Sequence, residues 1–381
     1  MWLRRALVPF LALGLLHFYI AARLLPVLPF GPIGQAAGAA LIVASFILIP
    51  VALFARGFEN RAVADRLAGV GLFMMGYFSS LLVFTVLRDV ALLVASPFLS
   101  QQHFDTLVPV SAALSLGLAT FATLLGFVNA RRTARVVEVE IPLKDLPAAL
   151  SGFTIAQISD LHVGPTIKRR YVDGVVNAVN ALGADVIAVT GDLVDGSVAD
   201  LSADTAPLAR LSARHGAYFV TGNHEYYAGE REWSEEIRRL GIRVLMNEHV
   251  VIEKDGARLV LAGVADYGAH HFNPRQKSDP EAAMRNAPAD ATVRILLAHQ
   301  PRSAAAAAAA GFHLQLSGHT HGGQFWPWNY FVPLQQPFTA GLHRLRQLWV
   351  YVSRGTGYWG PPKRFGSPSE ITYLRLVPAA T

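Results

Sequence analysis

The chain has 381 residues, of which 52% are hydrophobic, and its mean hydropathy of +0.34 is high for a water-soluble protein. The formal net charge is +6, but residues 1–135 carry ten arginines against four acidic residues, whereas residues 136–381 carry 23 basic and 23 acidic residues. The basic excess therefore lies in the N-terminal third, and the remainder offers no positive field that would favour a nucleic-acid polymer as partner.

Four apolar stretches without charged residues occupy most of the first 130 residues. Three of them reach the roughly 20 residues that a helix needs to cross a bilayer, and the first is shorter and contains His17. A cleaved signal peptide would explain the first stretch alone. We therefore predict an all-α membrane region of four transmembrane helices in residues 1–135, with the lipid bilayer as partner. The predicted spans are residues 6–22, 36–55, 67–87 and 107–130.

The arginines of this region are unevenly distributed among the predicted connections. Eight lie before span one, between spans two and three, or after span four, and two lie in the other connections. Cytoplasmic loops are richer in Lys and Arg, so this bias places everything after residue 130 in the cytoplasm. A twin-arginine export signal is an alternative explanation for the first pair. The eight are Arg4, Arg5, Arg56, Arg61, Arg66, Arg131, Arg132 and Arg135, and the two are Arg23 and Arg88.

Polarity changes abruptly at residue 131, and we place the second domain at residues 136–381. Its apolar runs are short, rich in β-branched residues and separated by amphipathic stretches, a pattern that predicts a layered α/β domain. An Asp-Gly pair at 255–256 predicts a hairpin within 243–264, and the alanine run 304–310 predicts a helix. The predicted strands are 153–160, 184–192, 217–225, 294–300 and 312–321, and the predicted helices are 167–182, 203–214 and 231–240.

Polar side chains end each of these five strands. Taken singly, each fragment has a plainer explanation as a helix cap, a turn or a satisfied core histidine. Open α/β sheets bind ligands at the carboxyl ends of their strands, so five such ends together predict a metal site. With no cysteine in the chain, the oxygen and nitrogen donors suit Mn²⁺, Fe or Zn²⁺. The residues are Asp160, His162, Asp192, Asp195, Asn223, His224, Glu225, His299, His319 and His321.

His319 and His321 lie between glycines in the stretch LSGHTHGGQ. A tight turn is one interpretation, because glycine readily adopts positive φ. In the other interpretation, the backbone stays extended and the side chains of residues i and i+2 point to the same side. We expect the second, with the two imidazoles reaching a common site.

These motifs occur in an order that resembles the calcineurin-like metallophosphoesterase family. They are Asp-x-His at 160–162, Gly-Asp-x-x-Asp at 191–195, Gly-Asn-His-Glu at 222–225, His299 and Gly-His-Thr-His at 318–321. The stretches LSGHTHGGQ and SRGTGYWGPPKRFGSPSEIT resemble the membrane-associated bacterial branch. The resemblance implies a four-layer α/β/β/α sandwich after the membrane region, and a metal-dependent phosphoesterase in the bacterial inner membrane.

The resemblance also implies a role for each motif residue in a site with two divalent metal ions. Mn²⁺ is expected, with Fe or Zn²⁺ as alternatives. His224 would stabilise the leaving oxygen or protonate it, a general-acid role, and Asp195 would orient His224 and favour its protonated form. The first metal would be held by Asp160, His162 and His321, the second by Asn223, His299 and His319, and Asp192 would bridge them.

The substrate is inferred from the branch and from the membrane region. Some members cleave UDP-2,3-diacylglucosamine, a lipid A precursor, so we expect hydrolysis of a phosphodiester or pyrophosphate bond in a lipid-linked substrate. The alternatives are a soluble or cyclic nucleotide, and a non-catalytic metal-bound membrane scaffold. Gly196 replaces an arginine that grips phosphate in the protein Ser/Thr phosphatases, which argues against a phosphoprotein. Arg354, Lys363 and Arg364 could contact phosphate or be solvated loop charges.

Overall fold

The computed structural model describes residues 2–379, and the side chains of residues 2–6 and 56 lie outside the described part, including those of Arg4, Arg5 and Arg56. The chain forms two compact units. A helical unit comprises Met1–Val128 and Gly360–Phe365, and a catalytic unit comprises Asn129–Trp359 and Gly366–Thr381. The catalytic unit begins at Asn129, whereas we predicted that the second domain begins at residue 136.

The helical unit is built from four long helices. All four are long and apolar enough to cross a membrane, which confirms the prediction of a four-helix membrane region. The side chain of Asn60 caps the third helix by accepting a hydrogen bond from the Val63 amide. The helices are α1 (Trp2–Leu24), α2 (Gly31–Phe54), α3 (Arg61–Ala95) and α4 (Gln101–Arg131).

We predicted that Arg88 lies in a connection between spans, but it lies inside α3. The guanidinium is buried and donates hydrogen bonds to the Ser111 hydroxyl, the Val108 carbonyl and the Asp89 carboxylate. These partners compensate the charge, so the helix continues through the arginine to Ala95. The apolar stretch ends at residue 87 because a charged residue follows it, and not because the span ends there.

Lys363 belongs to the helical unit although it lies late in the sequence. Its ammonium is buried and donates to the Gly76 carbonyl at 2.9 Å, to Thr123 Oγ1 at 3.1 Å and to the Ser80 hydroxyl. Gly126 lets the lysine stem approach, because a Cβ there would lie 2.7 Å from Lys363 Cγ. A solvated loop charge is therefore the wrong interpretation of Lys363.

Two six-stranded sheets form the centre of the catalytic unit. The first has the order β1-β12-β2-β3-β4-β5 and the second β10-β11-β9-β8-β7-β6, with β2, β3 and β4 parallel to one another and β7, β8 and β9 likewise. The strands are β1 (Arg135–Leu143), β2 (Thr154–Ile158), β3 (Val186–Val189), β4 (Ala217–Phe219), β5 (Arg243–Val244), β6 (Glu248–Lys254), β7 (Ala257–Gly263), β8 (Val293–Leu297), β9 (Leu314–Ser317), β10 (Gly341–Leu345), β11 (Leu348–Val352) and β12 (Glu370–Pro378).

Helices cover the outer face of each sheet. One apolar core lies between the sheets, a second packs the first sheet against its helices, and a third packs the second sheet against its helices. The predicted α/β/β/α sandwich is thereby confirmed. The helices are α5 (Arg169–Ala181), α6 (Val198–Thr205), α7 (Asn223–Ala228), α8 (Glu230–Arg239), α9 (Pro280–Ala283) and α10 (Ala304–Ala309).

The predicted strands and helices exist, but several bounds differ. Each of the five strands stops before its polar cluster: four clusters lie in turns, and Asn223, His224 and Glu225 begin α7. The predicted helix 203–214 is wrong in extent: α6 ends at Thr205, and a 3₁₀ turn with Pro207 at its start follows. Residues Asp255 and Gly256 form the predicted hairpin turn, with Lys254 opposite Ala257.

Candidate metal centre

The turns that follow β2, β3 and β9 carry donor residues in an uncommon backbone conformation. Asp160, His162 and Asp192 have φ between 50° and 53°, and His319 and His321 have φ of 71° and 51°. Left-handed backbone is unfavourable for residues with a Cβ, and such strain concentrates at functional sites. The extended backbone that we predicted for His319 and His321 is therefore wrong: a turn directs these two side chains.

Gly318 explains part of the glycine pattern around these histidines. A Cβ at this position would collide with Ser159 Oγ and Asp160 Oδ2. With only hydrogen there, the turn after β9 lies against the turn after β2, and the His319 amide donates to both carboxylate oxygens of Asp160, at 2.9 and 3.0 Å. The glycine thus brings the donors of two different strands together.

A first group of donors consists of Asp160, His162 and His321, whose ligand atoms lie within 4.8 Å of one another. The Nε2 atoms of the two imidazoles are 3.1 Å apart, and His321 Nε2 is 3.5 Å from Asp160 Oδ1. His162 Nδ1 is engaged by Asp195 Oδ1 at 3.0 Å, which leaves Nε2 for the centre of the group. This is the tautomer arrangement of a metal-ligating histidine.

A second group consists of Asp192, His299 and His319. The Thr190 carbonyl accepts a hydrogen bond from His299 Nδ1, so the neutral ring presents the Nε2 lone pair to Asp192 Oδ2, 3.1 Å away. Two lone pairs at that distance require a cation between them. Burial lowers the pKa of His299, but Asp192 raises it more, so the net shift is upward. A proton or a metal ion can supply the charge.

Asp192 lies at the junction of the two groups. Its Oδ2 atom is 3.9 Å from His162 Nε2 of the first group and 3.1 Å from His299 Nε2 of the second. Burial lowers the pKa of His319 to about 3, so this imidazole stays neutral and able to bind a metal. A carboxylate between two sets of imidazoles has the chemistry of a bridging ligand.

Asn223 supplies a further candidate metal ligand, its side-chain oxygen, which has no hydrogen-bond partner within residues 2–379. It is the first residue of α7, and its side-chain oxygen is buried. An unsatisfied buried acceptor is costly. A metal ion at the second group is the kind of partner that would satisfy this oxygen, so the donor set fits two divalent cations.

His224 and Asp195 form a hydrogen-bonded pair beside the donor groups. His224 Nδ1 is 2.6 Å from Asp195 Oδ1, and His224 Nε2 lies 4.0 Å from Asp192 Oδ2. Burial lowers the pKa of His224, but the Asp195 hydrogen bond and the Asp192 charge raise it more, to about 9. Burial raises the pKa of Asp195, but its two imidazole partners lower it more strongly. The pair favours an imidazolium that is available for proton transfer.

Comparison with known proteins identifies the family. A family model described as calcineurin-like phosphoesterase matches residues 153–323. A metallophosphoesterase of Aquifex aeolicus is 34% identical over 260 residues, which cover 67% of this chain and 97% of that protein. The chain belongs to the calcineurin-like phosphoesterase family.

Other relatives of this metallophosphoesterase combine the domain with a membrane region. The proteins named "Transmembrane protein with metallophosphoesterase domain" of Danio rerio and Bos taurus are 39% and 40% identical to it over 70% of this chain. The matched region covers 62% of the length of each of these two proteins. The resemblance to a metallophosphoesterase is thus confirmed, and it extends to vertebrates as well as bacteria.

Glu225 is a positioning residue in this metallophosphoesterase. Its fully buried carboxylate accepts hydrogen bonds from the amides of Gly222, Asp192 and Leu193, at 2.7, 3.0 and 2.7 Å. Because these amides belong to the turns after β3 and β4, one side chain fixes both turns. The sequence placed Glu225 within the Gly-Asn-His-Glu motif, but the motif alone did not indicate this role.

The Glu225→Gln variant should bind metal about 10–100-fold more weakly, since loss of an outer-shell partner typically has that effect. The amide nitrogen of Gln would face a backbone N–H that the carboxylate now satisfies. Titration calorimetry with Mn²⁺ measures the change. Glu235→Gln, at an exposed residue of α8 that pairs with Arg231, is the matched control. Equal Mn²⁺ affinity in the wild type and in both variants would contradict the positioning role.

The remaining charged candidates of the metallophosphoesterase lie in different surroundings. Arg354 forms an ion pair with the buried Glu370 at 2.6 Å. Gly196, at the place of the phosphatase arginine, accepts a hydrogen bond from the Trp233 indole through its carbonyl. Three exposed aromatic residues, Tyr227, Phe272 and Trp359, were not predicted as site residues from the sequence, because exposed aromatic residues form no motif.

Proposed function

We propose that this metallophosphoesterase is a membrane-anchored hydrolase with two divalent metal ions, acting on a phosphodiester or pyrophosphate bond. The observation that carries the proposal is Asp192 at the junction of two donor groups, with the His224–Asp195 pair alongside. The first metal would be held by Asp160, His162 and His321, and the second by Asn223, His299 and His319.

The donor set contains imidazoles, carboxylates and one carboxamide, which suits Mn²⁺, Fe or Zn²⁺. Bound there, two such ions would lower the pKa of water and neutralise charge on the phosphoryl oxygens. Mn²⁺ is our first choice for reconstitution. Asp192 would hold the two donor groups in a fixed relation, so that the phosphoryl group meets both at once.

His224 would transfer a proton to the oxygen of the leaving group. Asp195 engages Nδ1, so the proton to be donated is on Nε2, the ring atom that faces Asp192. His224 is the most accessible of these three histidines next to Asp192: 15% of its side chain is exposed, against 1% for His162 and 0% for His299. A general acid needs this combination of a fixed proton and access to substrate.

A lipid-linked substrate is supported by the membrane region. Three residues separate the end of α4 from the start of β1, so the catalytic unit is tethered closely to the last span. Tethering raises the encounter rate with substrates that are confined to the same bilayer. UDP-2,3-diacylglucosamine is one such substrate, and relatives in fish and cattle favour testing other lipids as well.

The test is a substrate panel on full-length protein in detergent with Mn²⁺. Bis-p-nitrophenyl phosphate reports the chemistry, UDP-2,3-diacylglucosamine is assayed for UMP release, and a cyclic nucleotide represents soluble substrates. Faster turnover of the lipid than of the soluble compounds supports the lipid proposal. Turnover of soluble compounds alone contradicts it while leaving the phosphoesterase proposal intact. Metal-loaded protein without any turnover would favour the scaffold.

Chelation should abolish hydrolysis. After dialysis against EDTA, we expect loss of bis-p-nitrophenyl phosphate turnover and its recovery when Mn²⁺ is added, because the imidazole and carboxylate donors alone activate no water. Zn²⁺ and Fe²⁺ additions rank the metals. Undiminished turnover in protein that elemental analysis finds metal-free would contradict the proposal.

The orientation of the catalytic unit is a further prediction. The bias of arginines, with Arg88 now assigned to the interior of α3, predicts that the catalytic unit lies in the cytoplasm, at the inner membrane of a bacterial host. A reporter that is active only in the cytoplasm should be active when it is fused after residue 381. A periplasmic result would contradict the predicted topology.

A further inference from the structure

Two exposed aromatic rings contact His224, and a third packs against one of them. Tyr227 and Trp359 contact the imidazole with ring centroids 5.3 and 5.7 Å away, both edge-on, and Phe272 packs against Tyr227 at 5.5 Å. The residues are 63%, 54% and 51% exposed, respectively. Isolated exposed aromatics are ordinary, but three beside one candidate catalytic histidine form an apolar patch that a ligand could cover.

Gln324 fixes the position of Trp359. The Gln324 side-chain amide donates to the Trp359 carbonyl at 2.8 Å and accepts from the Trp359 amide at 2.9 Å. Gln324 is 7% exposed and has a φ of 59°, an uncommon conformation for a residue with a Cβ. Its own amide donates to the His321 carbonyl at 2.9 Å, so the turn that directs a candidate metal ligand also fixes the backbone of Trp359.

Helix α7 places Tyr227 against the same imidazole. His224 and Tyr227 are three residues apart in this helix, so their side chains lie on the same face. The imidazole therefore contacts two aromatic groups, the pair of Tyr227 and Phe272 and the single ring of Trp359. We call this arrangement of Tyr227, Phe272 and Trp359 the aromatic slot.

We propose that the aromatic slot is the subsite for the leaving group and selects an apolar or aromatic group there. The inference rests on the proposed function. In the reaction, water adds its oxygen to phosphorus and gives up a proton to solvent, the bond from phosphorus to the leaving oxygen breaks, and that oxygen takes the proton of His224, which solvent then replaces. Whatever is attached to this oxygen must lie beside His224, where the three rings are. Ring faces recognise bases, aryl groups and hydrocarbon chains by contact rather than by hydrogen bonds.

The first test separates binding from chemistry with bis-p-nitrophenyl phosphate. Trp359→Ala should raise KM about tenfold, the typical effect of losing one stacking ring, with a much smaller change in kcat. Trp359→Phe should restore most of the affinity. Trp328→Ala is the control, because Trp328 is 41% exposed and packs on Phe331 rather than on His224. If the wild type is active and Trp359→Ala has an unchanged KM, the proposed role of the aromatic slot is wrong.

The second test identifies the chemistry that the slot prefers. Diethyl, dibutyl and diphenyl phosphate are compared as competitive inhibitors. A gain of about tenfold over diethyl phosphate for diphenyl phosphate alone supports aromatic leaving groups, and a gain for dibutyl phosphate as well supports hydrocarbon chains. No gain for either overturns the proposal. Wild-type protein without turnover at all would instead refute the proposed function.

Gln324 is tested as a positioning residue. Gln324→Ala should diminish the preference for diphenyl over diethyl phosphate, although the glutamine itself need not touch the ligand. In a double-mutant cycle with Trp359→Ala the two effects should not add, since the glutamine acts through the indole. Additive losses, or a loss of metal affinity in Gln324→Ala with the preference intact, would contradict this role.

Discussion

Replacing Asp192 by alanine should reduce kcat for bis-p-nitrophenyl phosphate by about 10³-fold or more, since loss of a single preorganised group already costs about 10²–10³ in other enzymes. The physical reason is its position: Oδ2 is 3.1 Å from His299 Nε2 and 3.9 Å from His162 Nε2, so this one carboxylate lies close to imidazoles of both groups. Removing the carboxylate also takes away the negative group that faces His299 Nε2 at 3.1 Å.

The same variant should bind less metal. Elemental analysis is expected to find fewer than two ions per chain after Mn²⁺ reconstitution. Asp173→Ala is the matched control, because Asp173 lies on α5 at the surface and pairs with Arg210. Full metal content together with full turnover in Asp192→Ala would refute a bridging role.

Replacing His224 by alanine should lower kcat by about 10²–10⁴-fold, the usual contribution of a general acid, while metal binding is retained. The loss should be smaller for a p-nitrophenyl leaving group than for an alkyl leaving group, because p-nitrophenolate departs readily without a proton. Rates for the two leaving groups, measured in wild type and variant, test this difference.

Metal content separates this role from an alternative one. The ligand atoms of His162, Asp192 and His224 also lie within 4.8 Å of one another, so His224 has the geometry of a ligand as well. If His224→Ala loses metal along with turnover, and the loss does not depend on the leaving group, a general-acid role is refuted. His343→Ala, at a histidine in β10 that bonds the Ala340 carbonyl, is the control.

The architecture of the catalytic unit follows from local pattern to a large extent. Short β-branched runs such as those of β2 and β3 are buried on both faces, so their period and composition already indicate parallel strands inside an α/β domain. The donors follow from the same reasoning, since the carboxyl ends of neighbouring parallel strands meet at one edge. Asp160 and Asp192 could therefore be grouped from the sequence, whereas His299 follows β8 of the second sheet.

Features that depend on contacts distant in sequence could not be predicted. The turn at His319 and His321 depends on Gly318 packing against Ser159, which alternation along a strand does not describe. Arg88 continues a span because Ser111 and Val108 lie opposite it, and an apolar run cannot show those partners. Lys363 is bound by α3 and α4, about 240 residues or more away in the chain.

The most direct test is a titration of metal-free full-length protein with Mn²⁺, with bound metal and hydrolysis of bis-p-nitrophenyl phosphate followed in the same samples. We predict no turnover without metal, and activity that rises with bound Mn²⁺ and saturates at two ions per chain. Saturation of binding at two ions without turnover, or turnover that is independent of bound metal, would contradict a dinuclear metallophosphoesterase.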